Sequence, residues 1–131
     1  AYRESSAENF HEWRKRVKYH WYHCRLLTDV WTEVMNEYAQ QVHKLSDVLG
    51  DYHDLDLLRN RVTEEIAPET ACDMGNLLRL IDGRQAAFRK EALPLGYRLY
   101  AEKSKDFARR MEHYWYAWKM PDKLELDGEH C

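Results

Sequence analysis

His11-Glu-Trp-Arg14-Lys15-Arg-Val-Lys18-Tyr-His-Trp-Tyr22-His-Cys24-Arg25 is the stretch on which the reading of this chain turns. Successive residues of an α-helix advance by about 100°, so each position can be placed on a wheel. With His11 as the origin, Arg14, Lys15, Lys18, Tyr22 and Arg25 fall within about 60° on one side or 40° on the other. Phe10, Trp13, Val17, Trp21 and Cys24 occupy the adjacent arc. One helix therefore shows a core face beside a row of four cations, an imidazole and a phenol, about 21 Å long at 1.5 Å per residue.

That row is costly when nothing negative opposes it. Like charges four residues apart repel by a few tenths of a kcal/mol, about 0.2–0.5 per pair. Arg14 with Lys18 incurs this cost, as does Lys15 with a protonated His11. Glu12 lies off the row, and Glu8 reaches only its first turn. A counter-charge is expected opposite, either acids of a neighbouring helix or an external polyanion. A solvated lysine and arginine face is the plain alternative. A single phosphate satisfies one or two of these groups, whereas a linear phosphate chain satisfies all of them through charge-assisted hydrogen bonds.

The same helical period extends through the chain. Ser5 and Glu8 form a capping box for a helix running to about Leu27. A second helix, about 31–49, carries Val34, Tyr38, Val42, Leu45 and Leu49, and Gly50 is expected to interrupt it. A third uses Leu55, Leu58, Val62 and Ile66 before Pro68, with Asp51 and Asp54 as acids at its start. Thr70 and Asp73 open a fourth, with Met74, Leu77, Leu78, Ile81 and Phe88 inward, which Pro94 should kink or break. Ser104 is expected to cap a last helix whose apolar face is Phe107, Met111, Tyr114, Trp115 and Trp118. These amphipathic helices and short links predict an all-α fold, an antiparallel bundle of four to five helices.

Bulk properties agree. The 131 residues suffice for one helical domain, and 44% apolar content closes a real core. Five Gly and three Pro are too few for a turn-rich β-protein. The chain begins on Ala1 rather than Met, which reads as a piece of a longer protein. Cys24, Cys72 and Cys131 are odd in number and widely spaced, which fits a reducing cytoplasm rather than a disulfide framework. The net charge of −3 hides strong segregation. Residues 11–25 carry five Lys and Arg against one acid, and 84–110 eight against three; the intervening 26–83 carry four against twelve. This pattern points to local anion capture.

The row, quoted from His11 to Tyr22, resembles the signature of the CHAD family, the conserved-histidine α-helical domains. Leu45-Ser-Asp-Val-Leu-Gly50-Asp51-Tyr-His-Asp54-Leu resembles the family's leucine–glycine–aspartate junction. Glu91-Ala-Leu-Pro-Leu-Gly through Tyr100-Ala-Glu-Lys103-Ser-Lys105-Asp-Phe107 is similar to the end of its C-terminal half. The similarity covers roughly residues 8–118, within a helical unit of about 5–120 followed by a flexible tail, 121–131.

The resemblance implies one half of a tandem helical-bundle domain, the second, arranged about a basic cavity. It implies a non-catalytic module for inorganic polyphosphate, needing no cofactor, in a longer protein with a fused triphosphate-hydrolysing domain. It places the protein in the cytoplasm, in association with polyphosphate granules and not with membranes. Carried over by position, His11, Arg14, Lys15 and Lys18 contact phosphates, with Tyr22 and Arg25 continuing the row. Lys44, Arg84 and Lys103 are secondary candidates. Trp21 departs from the pattern, standing where many members have a basic residue. A homodimer would replace the missing sister unit.

Other residues are weighed against this frame. His20, His23 and Cys24 read as structural rather than as a metal site, since no carboxylate of their helix completes a ligand set. His43 and His53 flank the acidic junction as surface residues. The Tyr114–Trp118 run reads as packing rather than as a stacking platform for bases. A module docking acidic proteins or nucleic acid is the runner-up function. A phosphotransfer protein or phosphohydrolase acting through His11 ranks last.

Overall fold

The computed structural model describes the backbone of residues 7–65 and 71–129 and the side chains of 9–65 and 73–120. Four α-helices follow one another: α1 (Ala7–Leu26), α2 (Thr32–Glu65), α3 (Ala71–Leu99) and α4 (Ser104–Glu129), with a 3-10 turn at Thr28–Val30 between the first two. No strand occurs among the described residues. The all-α helical bundle expected from the periodicity is the fold. The capping residues Ser5 and Thr70, together with Ile66, lie outside the described residues, as does the Glu8 side chain.

Each turn closes by local chemistry. Thr28 Oγ1 donates to the Cys24 and Arg25 carbonyls at 3.1 and 2.9 Å, satisfying acceptors left open at the end of α1. At α4 the first helical bond runs from Phe107 N–H to the Lys103 carbonyl, 2.9 Å. Lys103 therefore occupies the cap position, and Ser104, expected to cap, is the first residue inside.

Gly50 does not interrupt α2. Its φ is negative, and 34 residues form one rod about 51 Å long. Leu45, Val48, Leu49 and Tyr52 are all buried around it, and packing overrides the weak local cost of a mid-helix glycine. Asp51 and Asp54 consequently lie in a helix interior, where they cap nothing. Because a Cβ at position 50 would meet only Arg14 Nε, at an ordinary 3.6 Å, Gly50→Ala should fit. It is expected to stabilise the fold by about 0.5–1 kcal/mol, read as a higher urea midpoint at unchanged slope.

Pro94 does not end its helix either, since α3 continues to Leu99. Pro94 and Lys90 are both exposed, so the carbonyl left without a partner at Lys90 lies on the solvent side. Past Pro121, where a polar tail was expected, α4 remains helical to Glu129.

Contacts fix the helix directions. His11 meets His53, Arg14 lies at Gly50, and Trp21 meets His43, so α1 and α2 are antiparallel. Arg59 binds Asp82 and Gln85, while Tyr52 binds Arg89, so α2 and α3 are antiparallel as well. The main core joins Phe10, Trp13, Val17 and Cys24 to Val42, Leu45, Leu49 and Tyr52, closed by Ala92 and Leu99. A second cluster seats Met111 of α4 on Val30 and Met35.

Four inward assignments fail. Trp115 and Trp118 are 42% and 49% exposed, lying against each other at 5.4 Å with the Lys119 ammonium over Trp115. On α2 and α3, Leu58 and Leu77 are also exposed, because α1 reaches only the first two-thirds of α2.

The α2–α3 seam carries a polar network centred on Gln85. Buried Gln85 donates to the Tyr52 carbonyl (3.3 Å) and Asp56 Oδ1 (3.1 Å), and accepts from Arg59 Nη2 (2.7 Å). Arg59 also pairs with Asp82. Such a satisfied network costs little and specifies one register.

Candidate anion-binding groove

At the seam between α1 and α2, His11, Arg14 and Trp21 of α1 meet His53, Gly50 and His43 of α2. Starting at Val17, the innermost residue of α1, Trp21, Arg14, Arg25, Lys18 and His11 lie about 40°, 60°, 80°, 100° and 120° round toward α2. Lys15 and Tyr22 follow on the outer rim.

Their pairing is sparse. Lys15 Nζ holds Glu12 at 3.2 Å, with both side chains more than half exposed. Such surface pairs contribute about 0–1 kcal/mol. Among the described residues no ion pair engages Arg14, Lys18 or Arg25. His11 Nδ1 and Arg14 Nε are buried atoms with no hydrogen-bond partner. An orphaned buried donor of this kind costs about 1–3 kcal/mol.

The α2 wall holds residues that sequence reasoning passed over. His53, read as a surface residue, is half-buried and stacks on His11, with ring centroids 4.7 Å apart and planes 24° apart. His43 lies 4.6 Å from the Trp21 ring and binds Asp47 at 3.3 Å. Had α2 been drawn unbroken through Gly50, the helical spacing of 43, 50 and 53 would have aligned them with α1. Three acids flank this wall: Asp54, Asp47 and Asp51 lie about 40°, 60° and 100° round from Gly50, away from the core. None of them pairs with the α1 row among the described residues. They leave the α1 side of the groove as its positive half.

The three secondary candidates do not join it. Lys44 lies about 120° round α2 from Gly50, beyond the acids. Arg84 belongs to α3, behind α2, with its guanidinium over the Phe88 ring at 5.0 Å. Lys103 sits in the turn between Glu102 and Ser104, on the side of α1 that carries His20 and His23. Charge counts along the chain cannot distinguish two sides of one helix, which is why the second basic block seemed to belong to the same site.

That opposite side of α1 is structural. His20 Nε2 and the Tyr38 hydroxyl share a hydrogen bond of 2.9 Å, and the imidazole packs on Phe107, Tyr100 and Tyr38. Burial, reinforced by His23 and opposed by Glu102, lowers the His20 pKa from 6.5. Burial pushes the Cys24 thiol up to about 12, and the Tyr38 phenol likewise to about 12. Arg110 clamps Glu102 through Nε and Nη2 at 3.0 and 2.9 Å, tying α4 to the preceding turn. Among the described residues no three His, Cys, Asp or Glu side chains gather to hold a metal.

A pH dependence follows from His20. Its folded pKa lies below the unfolded 6.5, so the unfolded chain takes up the proton first as pH falls. The stability it contributes is complete above pH 6.5 and is lost as pH drops through the folded value. Urea midpoints at pH 7.5, 6.5 and 5.5 should decline over this window. His20→Gln, which can still hydrogen-bond Tyr38 but does not titrate, should show a shallower decline.

With the groove defined, comparison with known proteins is informative. Residues 1–63 match the CHAD domain, just under half of the 131. This stretch is similar to the CHAD domain. It ends near the close of α2, so the CHAD segment contains both walls of the groove and excludes α3, α4 and the second basic block. No curated protein and no solved structure matches the chain. No helix among the described residues is long and apolar enough to cross a membrane.

Proposed function

We propose that this chain is a non-catalytic module that binds inorganic polyphosphate and related polyanions along the α1 side of the groove. The observation carrying this reading is the row's lack of internal partners. Among the described residues only Lys15 has an acid, while His11 Nδ1 and Arg14 Nε have no hydrogen-bond partner. A phosphate oxygen reached by a small swing of Arg14 would relieve its unpaired nitrogen. Arg14 and Arg25 can grip two oxygens each, while Lys18 serves as a mobile point charge. The acids of α2 keep the chain of phosphates on the α1 side by repulsion. His11 adds an imidazole N–H as a further donor.

Calorimetric titration with long-chain polyphosphate at two salt concentrations tests the reading. Affinity should fall steeply as salt rises, by the release of counterions from the polyanion. A missing heat of binding, or an affinity indifferent to salt, would remove the proposal. RNA competing equally at matched phosphate concentration would instead favour a general nucleic-acid module.

A further inference from the structure

Where the groove reaches the C-terminal end of α1, its chemistry changes. A cavity of about 300 Å³ opens there, lined by Trp21, Arg25, Asn36, Ala39, Gln40 and His43. The half-buried indole of Trp21 forms one wall, with the Arg25 guanidinium 4.9 Å from its centroid and the His43 ring at 4.6 Å. Ala39 supplies a buried floor whose small side chain leaves the space open. Asn36 and Gln40, one helical turn apart on α2, bring two exposed carboxamides to the rim. Neither carboxamide is engaged in a hydrogen bond among the described residues.

A bare phosphate chain gains little from an indole and two neutral amides. A nucleobase uses both. It stacks on an aromatic face, and its edge presents the alternating donors and acceptors that a carboxamide matches, adenine N6 and N7 being the best-fitted pair. We propose that this cavity takes the base of a nucleoside polyphosphate, whose phosphates then run up the groove. The inference rests on the polyanion reading of that groove. Exposed Arg25 closes over the base, extending the stack by a cation–π contact. From Trp21 the axial rise is about 4.5 Å to Lys18, 10.5 Å to Arg14 and 15 Å to His11. The ribose and three phosphates of an extended nucleoside triphosphate cover that span. Trp21, which interrupts the run of cations, thereby marks where a phosphate chain gives way to a base.

The test is calorimetry in magnesium-free buffer with adenosine triphosphate, inorganic tripolyphosphate and a 5′-hydroxyl oligoadenylate carrying three phosphates. The unaltered chain and the Asn36→Ala/Gln40→Ala double variant are compared; both changed residues are exposed, so the fold is not at risk. Adenosine triphosphate should bind the unaltered chain about tenfold tighter than tripolyphosphate, the scale of one stacked base. The double variant, which keeps the Trp21 stack and loses the amide contacts, should lower that ratio about threefold while leaving tripolyphosphate unaffected. Equal affinities in the unaltered chain would overturn the base pocket and leave the polyanion groove standing, whereas loss of both ligands would overturn the two together. A tenfold ratio that survives in the double variant places the base elsewhere and also overturns the inference. So does oligoadenylate binding as tightly as the triphosphate, which assigns the cavity to nucleic acid.

Discussion

Replacing Arg14 with Ala is expected to weaken polyphosphate binding about tenfold, and Arg14→Ala/Lys18→Ala about a hundredfold. Hydrogen bonds to charged groups contribute about 1.5–3 kcal/mol each, and 1.4 kcal/mol is a factor of ten. Arg14 carries more than its charge. It lies against Gly50 with a buried, partnerless Nε, so its guanidinium is already held at the seam and little side-chain freedom remains to be lost on binding. Arg14→Lys should therefore recover only part of the loss, because a lysine supplies a point charge without the two-pronged grip. The logarithmic slope of affinity against salt should fall by about one for each cation removed. Calorimetry at several salt concentrations measures both quantities. Lys103→Ala, on the far side of α1, should change neither; an equal loss there would mean that the ligand does not follow the groove.

Gly96→Ala is expected to be the most damaging small substitution in the chain, destabilising it by about 3 kcal/mol. A methyl at position 96 would lie 2.6 Å from Cη2 of Trp13 and closer still to Cζ2. Trp13 is 4% exposed and packed beside Phe10, so its ring can shift only by disturbing the core. Overpacking of this kind costs about 1–3 kcal/mol, and the upper end applies where a rigid ring is the obstacle. The clash is with one side chain, which makes it separable. Gly96→Ala in a Trp13→Phe background should cost less than the sum of the two single changes, a coupling readable from urea unfolding. The contrast with Gly50→Ala is instructive, since the same substitution in the same bundle changes sign with what a Cβ would touch.

The sequence disclosed the helical period, the inward arc of α1 and the coherence of the row from His11 to Arg25. These depend only on spacing along a single helix, and packing preserved them. It misjudged Gly50 because a mid-helix glycine acts locally through a backbone term of about 1 kcal/mol, which the surrounding buried contacts outweigh. That error carried further consequences. A helix thought to end at residue 49 could not bring His53 onto His11, and Asp51 and Asp54 were given caps to form. The second basic block was assigned to the same site because charge counts run along a chain, whereas a groove has sides. Lys44, Arg84 and Lys103 face three other directions. Trp115 and Trp118 show the complementary limit: helical spacing places residues on a common face but does not say whether anything lies beneath it.

Gln85 lies on the side of α2 turned away from the groove, yet it bears on how the groove is set. As α2 is a single rod, its roll about its own axis is one quantity shared by both flanks. The amide, seated between the Tyr52 carbonyl, Asp56 and Arg59, keys that roll much as a spline locks a shaft. The orientation at which His43, Gly50 and His53 confront the cations is thus indexed from behind, by α3, a helix that contributes nothing to the anion face itself.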